Sequence, residues 1–477
     1  MTIHPEKTSL SRRPVIDQRV PLIIPVESQV REFDAKLLLA CVAARRNFPV
    51  VIGRLKTINK HLCSLPRSIY LAKGIASEFI PTFRILRELG HTITGWDEEA
   101  LVHLPPETYF EKRMSPDAGR YVSKLFAWGQ DNAELWRSSP HYSDTPIHVT
   151  GNPRGDLLRP EMRPCFESEM RERHRVYGDF FLINTNFSMV NSNRSLFIPN
   201  EGADSARMLG PAANGMTREF AERLERHKLD IFQRFLEMIP KLTHAFPNIN
   251  IVIRPHPSES PQCYHNIAAD CEHIHVVIEG NVIPWLLAAK ATIHNGCTTA
   301  VEASLLGVPT VSFGPTKGVG HEFGHAWRLP DLLSHAGEDF EALREKLEMI
   351  IAGELGRFNC PEQEKVINDY IAPLEGPLAS EMIVDVLEGC LKSHSELSNL
   401  KRLAGLARAY SARWSADAAK VLNRKPRKTP ETRRAAYHDL STEQVCERLD
   451  RFQRILGNRV ELRVEKLGKY VYRIARA

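Results

Sequence analysis

The stretch "ATIHNGCTTAVEASLLGVPTVSF", residues 291–313, reads as a strand, a small polar turn, a helix, a Gly-Val-Pro break and a second strand. Apolar alternation gives way to helical spacing and returns within 23 residues, which is the pattern of a βαβ unit in a parallel sheet. Asn295 and Gly296 supply the turn, and Thr298 and Thr299 open the helix. Hydroxyls beside free backbone N–H groups favour a phosphate, and Glu302, one turn further in, is placed to reach a ribose.

Upstream, "INIVIRPHP" (249–257) ends another strand at Arg254 and clamps His256 between Pro255 and Pro257. Proline fixes φ and carries no N–H, so the imidazole is held in a rigid turn. In doubly wound sheets ligands sit beyond the carboxyl ends of strands, where His256, Arg254 and Asn186 of "FFLINTNF" all fall. The same strand-helix rhythm runs through "PLIIPVE", "FPVVIG", "SIYLAKG", "TITGW" and "LFAWG". Two doubly wound units are predicted, over 20–155 and 156–395, after a polar leader (1–20) and before a basic, mainly helical tail (396–477).

At 477 residues, with 43% hydrophobic and 25% charged side chains, the chain is ordinary globular material with room for two or three domains. No signal-peptide pattern or membrane-spanning run is present in the sequence, and the nine cysteines form no CxxC pair. A cytoplasmic protein is expected. The net charge of +5 conceals an asymmetry: residues 401–477 carry 20 Lys+Arg against 8 Asp+Glu, and the rest 43 against 50. Such a tail predicts peripheral docking on the anionic inner face of the cytoplasmic membrane; nucleic acid is a poorer fit without interleaved aromatics.

In the first unit, Asp97, Glu98 and Glu99 follow a strand directly. Crowded carboxylates are candidates for a general base. Glu27, Arg31 and Glu32 follow the first strand, with Glu27 and Glu32 as further base candidates and Arg31 as a partner for substrate anions. "HEFGH" (321–325) matches a zinc signature in letters only, because its glycine-rich surroundings do not favour the helix that signature needs. It is read as a loop offering His321 or His325 to substrate, with no metal and no cofactor expected.

The blocks "PVESQVREFDAKLLLACVAA" (25–44), "WDEEALV" (96–102), "FAWGQDNAELW" (126–136), "HVTGNPRGDLL" (148–158), "LINTNF" (182–187), "RPHPSE" (254–259) and the opening stretch occur together over about residues 20–395. In that order they resemble the bacterial surface carbohydrate biosynthesis protein family. The resemblance implies a GT-B-like architecture: two Rossmann-like domains with a cleft between them. "VTGNPRGDLL" is also similar to a block of GT-B-like UDP-N-acetylglucosamine 2-epimerases. Bacterial GT-B sialyltransferases carry an acidic pair followed by glycine, an HP motif and a Ser/Thr pair. Glu98-Glu99-Ala100, His256-Pro257 and Thr298-Thr299 match these in order, with Ala100 in place of the glycine. By that likeness Glu98 or Glu99 deprotonates the acceptor, and His256 and the threonines hold the nucleotide phosphate. The implied function is a metal-independent glycosyltransferase of surface polysaccharide synthesis. Its donor would be a nucleotide sugar, preferably a CMP-linked 2-keto acid sugar, and its acceptor a glycan or lipid-linked glycan. The alternatives are a CDP-glycerol-type glycerophosphotransferase, a UDP-sugar 2-epimerase and a non-catalytic sugar-nucleotide-binding subunit.

Overall fold

The computed structural model describes residues 19–102, 106–140, 142, 144–191, 218–314, 328–359, 361–389, 399–422 and 437–477. Its first sheet holds β1 (Leu22–Val26), β2 (Val50–Arg54), β3 (Ile69–Ala72), β4 (Thr92–Gly95), β5 (Val122–Ala127) and β6 (Ile147–Val149). They are parallel in the order β2-β1-β3-β4-β5-β6. The second holds β7 (Phe180–Asn184), β8 (Asn250–Arg254), β9 (Ile274–Val276), β10 (Ala291–His294), β11 (Thr310–Phe313) and β12 (His335–Gly337), ordered β12-β11-β10-β7-β8-β9 and likewise parallel. Counted from β7, that is the 3-2-1-4-5-6 order of a dinucleotide-binding sheet.

Every residue of β1 (LIIPV) and β7 (FFLIN) is buried, as expected where helices cover both faces of a parallel sheet. Two doubly wound sheets with a cleft between them make the GT-B-like architecture that the sequence predicts. The opening stretch forms β10, the helix Thr299–Leu305 and β11, and Gly307 between helix and strand has φ +80°, a value costly for any other residue.

The end of the chain departs from the expected helical tail. The helix Thr442–Leu456 is followed by β13 (Leu462–Gly468) and β14 (Val471–Arg476), an antiparallel pair. β14 then pairs antiparallel with β2, extending the first sheet to eight strands. Val471, Tyr472 and Ile474 are buried there, so the segment belongs to the core of the first unit. Ion pairs from Arg448 to Asp34 and from Arg451 to Glu169 tie its cations to the body. The helix Ala379–Glu388, expected in the second unit, packs on the helix Gln29–Arg45 of the first. It is anchored where the buried Asp156 carboxylate accepts hydrogen bonds from the Ala379 and Ser380 amides at 2.7 and 2.9 Å and the Ser380 hydroxyl at 2.7 Å. The chain therefore crosses back before residue 395.

Gly151 lies at this crossing with φ +77°, and a Cβ there would stand 1.5 Å from the Ala372 carbonyl oxygen. Gly151→Ala combines a strained φ with a backbone collision. It is expected to cost well over about 1 kcal/mol of stability, seen as a lowered midpoint in denaturant melts.

Candidate functional site

The carboxyl ends of the two sheets meet at a cleft lined from the first unit by Val30, Arg31 and Arg154 and from the second by Arg254, His256, Thr298 and Glu302, among others. On the second side, β7 and β10 are neighbours at the point where strand order reverses, the usual ligand position. Asn186 Nδ2 donates to the Gly296 carbonyl at 3.3 Å, tying the turns after these strands together. Gly296 has φ +57°. Asn295 accepts from Lys228 Nζ at 3.3 Å. Lys228 is buried, which pushes its ammonium down to about 8. The Thr298 side chain makes no cap hydrogen bond, and the Thr299 hydroxyl donates to Cys297 Sγ at 3.1 Å.

The turn after β8 is organised by a residue the sequence reading passed over. Glu259 is buried and accepts from the Thr185 hydroxyl at 2.9 Å, the Phe187 amide at 2.8 Å, the Tyr264 hydroxyl at 2.7 Å and the His256 amide at 3.4 Å. The His-Pro turn is thus latched from beneath. On the ring itself, the Ser258 amide donates to His256 Nδ1 at 3.3 Å and the Ser258 hydroxyl lies 2.6 Å away. A backbone N–H only donates, so Nδ1 is the acceptor and the ring proton sits on Nε2. Burial, with Arg31 nearby, pushes the imidazole down to about 4, so near neutral pH it is an uncharged donor.

Arg254 donates to the carbonyls of Glu279 at 2.8 Å and Gly280 at 3.0 Å and lies 5.1 Å from the Trp285 ring centroid. Arg173 approaches the same ring at 4.7 Å. Burial and then the Arg173 charge push Arg254 down to about 9. Among the described residues neither arginine has a carboxylate partner.

On the first side the acidic cluster separates into distinct environments. Asp97 accepts from Tyr109 at 3.0 Å and pairs with Arg113 at 3.2 Å. Glu98 is buried, 2.9 Å from Lys36 Nζ and 2.9 Å from the Trp96 indole nitrogen. Lys36 is itself buried and also reaches Glu32 at 2.7 Å and the Pro25 carbonyl at 2.9 Å. Glu32 further accepts the Glu27 and Ser28 amides at 2.9 and 3.0 Å. These contacts commit Glu32 and Glu98 to a buried internal ion network. Glu27 is exposed and pairs with Lys73. Glu99 alone of the cluster is partly exposed, paired with Arg31. Burial pushes its carboxyl up, but Arg31 and Arg154 outweigh that and hold it below the usual range. Burial likewise opposes the Arg31 charge, yet Glu99, Glu32 and Glu98 keep it above its ordinary value.

Arg154 joins the two sides. Its guanidinium donates to Glu302 Oε1 at 2.7 Å and lies 5.5 Å from the Trp128 ring centroid. Glu302, expected to face a ribose, is thereby engaged across the cleft. The signal for Arg154 stood in the sequence: Asn152 caps and Pro153 opens a short helix, so Arg154 sits at a helix start like Thr299. His321 and His325 lie outside the described residues, as do Arg424, Lys425, Arg427, Lys428, Arg433 and Arg434. Among the described residues no group of His, Cys, Asp and Glu is arranged to hold a metal ion.

No family model matches the chain, and no curated protein matches it. Solved structures with a similar arrangement include the UDP-GlcNAc 2-epimerase of Methanocaldococcus jannaschii in complex with UDP-GlcNAc and UDP. That likeness has a TM-score of 0.46 and 12% identity over 77% of this chain and 99% of that one. The wall teichoic acid polymerase TagF, as a variant soaked with CDPG, has a TM-score of 0.47 and 11% identity over 78% and 88%. S. aureus MnaA with UDP has a TM-score of 0.45 and 13% identity over 78% and 97%.

Proposed function

We propose that the chain is a transferase that takes a glycosyl or glyceryl-phosphate group from a nucleotide-activated donor in surface polymer synthesis. The observation that carries this reading is the facing of His256 and the Arg31–Glu99 pair across one cleft. His256, fixed by Pro255, Pro257 and the Ser258 amide, presents Nε2–H as a preorganised donor to the phosphate of the nucleotide. Thr298 and Thr299 border the same space. Glu99 takes the proton of the acceptor hydroxyl; the acceptor oxygen bonds to the donor's reactive centre as its bond to the nucleotide breaks. Arg31 couples the two events. Paired with Glu99 it keeps the carboxylate ionised and weakly basic, and moving to a donor anion it frees a stronger base.

Arg254 supports a donor bearing a second anionic group. A partly buried guanidinium without a carboxylate is suited to an incoming anion. The carboxylate of a CMP-linked keto acid sugar and the second phosphate of a CDP- or UDP-linked donor both meet that condition. A thermal-shift panel of CMP, CDP, UDP and GDP separates them, since a ligand at 100 times its Kd stabilises by about 2.7 kcal/mol. UDP-sugar interconversion without an acceptor would mark a 2-epimerase instead. Nucleotide-dependent stabilisation without donor hydrolysis would mark a non-catalytic sugar-nucleotide-binding subunit.

His256→Ala is expected to keep the fold and weaken nucleotide binding by about 1.5–3 kcal/mol, the worth of a hydrogen bond to a charged group. Titration calorimetry measures it; unchanged affinity would remove His256 from the phosphate site.

A further inference from the structure

The helix Asn399–Leu422 has two faces of opposite kind. One is docked on the helix Ile80–Glu88 of the first unit. There a Cβ on Gly405 would meet Glu88 at 2.9 Å, Ala409 is buried, and Arg408 Nε donates to Glu88 Oε2 at 2.9 Å. At about 100° per residue, Leu400, Leu403, Tyr410 and Trp414 fall within roughly 80° of one another on the side away from Gly405 and Ala409. They are 80%, 65%, 51% and 79% exposed. Among the described residues the other exposed large apolar ones, Val176, Leu229, Leu332, Ile351 and Leu467, are scattered over five different elements. Isolated residues of that kind need no explanation, whereas an aligned stripe on one helix does.

We infer that this helix is a membrane-docking element that lies flat on an anionic lipid bilayer, with Leu400, Leu403, Tyr410 and Trp414 in the headgroup–acyl boundary. Three observations select a bilayer as occupant. Residues 401–428 carry nine Lys and Arg against one acidic residue, Asp417, a charge complementary to anionic headgroups. Trp and Tyr in the stripe are the side chains that favour the membrane–water interface. The helix is 24 residues long and gathers its exposed apolar side chains on one face, the form of a helix that lies in the interface plane. Of the cations beyond residue 437, Arg448, Arg451 and Lys466 pair with acidic groups of the chain itself, as Arg408 does with Glu88.

The test is flotation of the full-length protein with phosphatidylcholine vesicles, with and without about 30% phosphatidylglycerol, at low and high salt. The wild type is expected to float only with anionic vesicles and less as salt rises. Leu403→Glu with Trp414→Glu should lower the bound fraction at least about tenfold at unchanged circular dichroism, since both side chains leave the apolar boundary. Should the double variant melt early, Trp414→Ser is read instead, with a smaller loss expected. A wild type that stays with the unbound protein, or a folded variant that floats as the wild type does, overturns the inference. So does a wild-type dimer in sedimentation that the double variant dissolves, because a second copy would then cover the stripe. Nucleotide stabilisation of the same variants reports on the cleft separately.

Discussion

Glu99→Gln is expected to lower turnover by about 10²–10⁴-fold, the usual worth of a positioned general base, while nucleotide affinity stays near wild type. The substitution keeps shape and removes the proton acceptor, together with the charge that pairs with Arg31. Glu99 lies on the first unit, whereas the phosphate-binding groups lie on the second, so the two readouts separate. Donor-consumption kinetics and calorimetry on one preparation decide it. Turnover at the wild-type rate would move the base to Glu27, the other exposed carboxylate at these strand ends, since Glu32 is enclosed by two amides and Lys36.

Lys36→Met is expected to cost about 3–5 kcal/mol, the penalty for stripping one partner from a buried ion network. Glu32 and Glu98 would then be left buried without their shared cation. The pH dependence that Glu98 contributes should also change sign. In the native protein burial pushes Glu98 up, but Lys36 and Arg154 outweigh it and hold the carboxyl below its ordinary value. A depressed folded value contributes stability that is present above the unfolded pKa of about 4.3 and lost as pH falls through the folded one. With Lys36 gone, burial dominates and raises Glu98, so stability is lost as pH rises. Urea melts at about pH 5 and about pH 7 should show the variant shifted, relative to the wild type, towards greater stability at the lower pH. A variant without that shift would mean that Lys36 does not set the state of Glu98.

Both experiments bear on one strand end, and they show where sequence reading stops. Alternating strand and helix signals, the glycine-punctuated βαβ stretch at 291–313 and the proline clamp at His256 are local features. Each depends on residues within a few positions of one another, so the two parallel sheets and the turns beside their switch point are legible from the chain. The roles of Glu98 and Glu99 are not. Both follow β4, and nothing within several residues distinguishes them. Packing of the helix Gln29–Arg45 brings Lys36 to Glu98 and Arg31 to Glu99 from more than sixty positions away. One carboxylate is thereby desolvated against a lysine, and its neighbour is left at the cleft.

The sequence by itself determined the fold class, the two-unit organisation and the strand-end turns, because hydrophobic period and turn chemistry are properties of neighbouring residues. Only the tertiary structure decided which carboxylate pairs with Arg31 at the cleft, that Arg154 spans it to Glu302, and that the last strand returns to β2. Those outcomes depend on desolvation and on pairings between distant segments. In β14, for instance, Val471 and Ile474 become core residues only through pairing with a strand more than four hundred positions earlier.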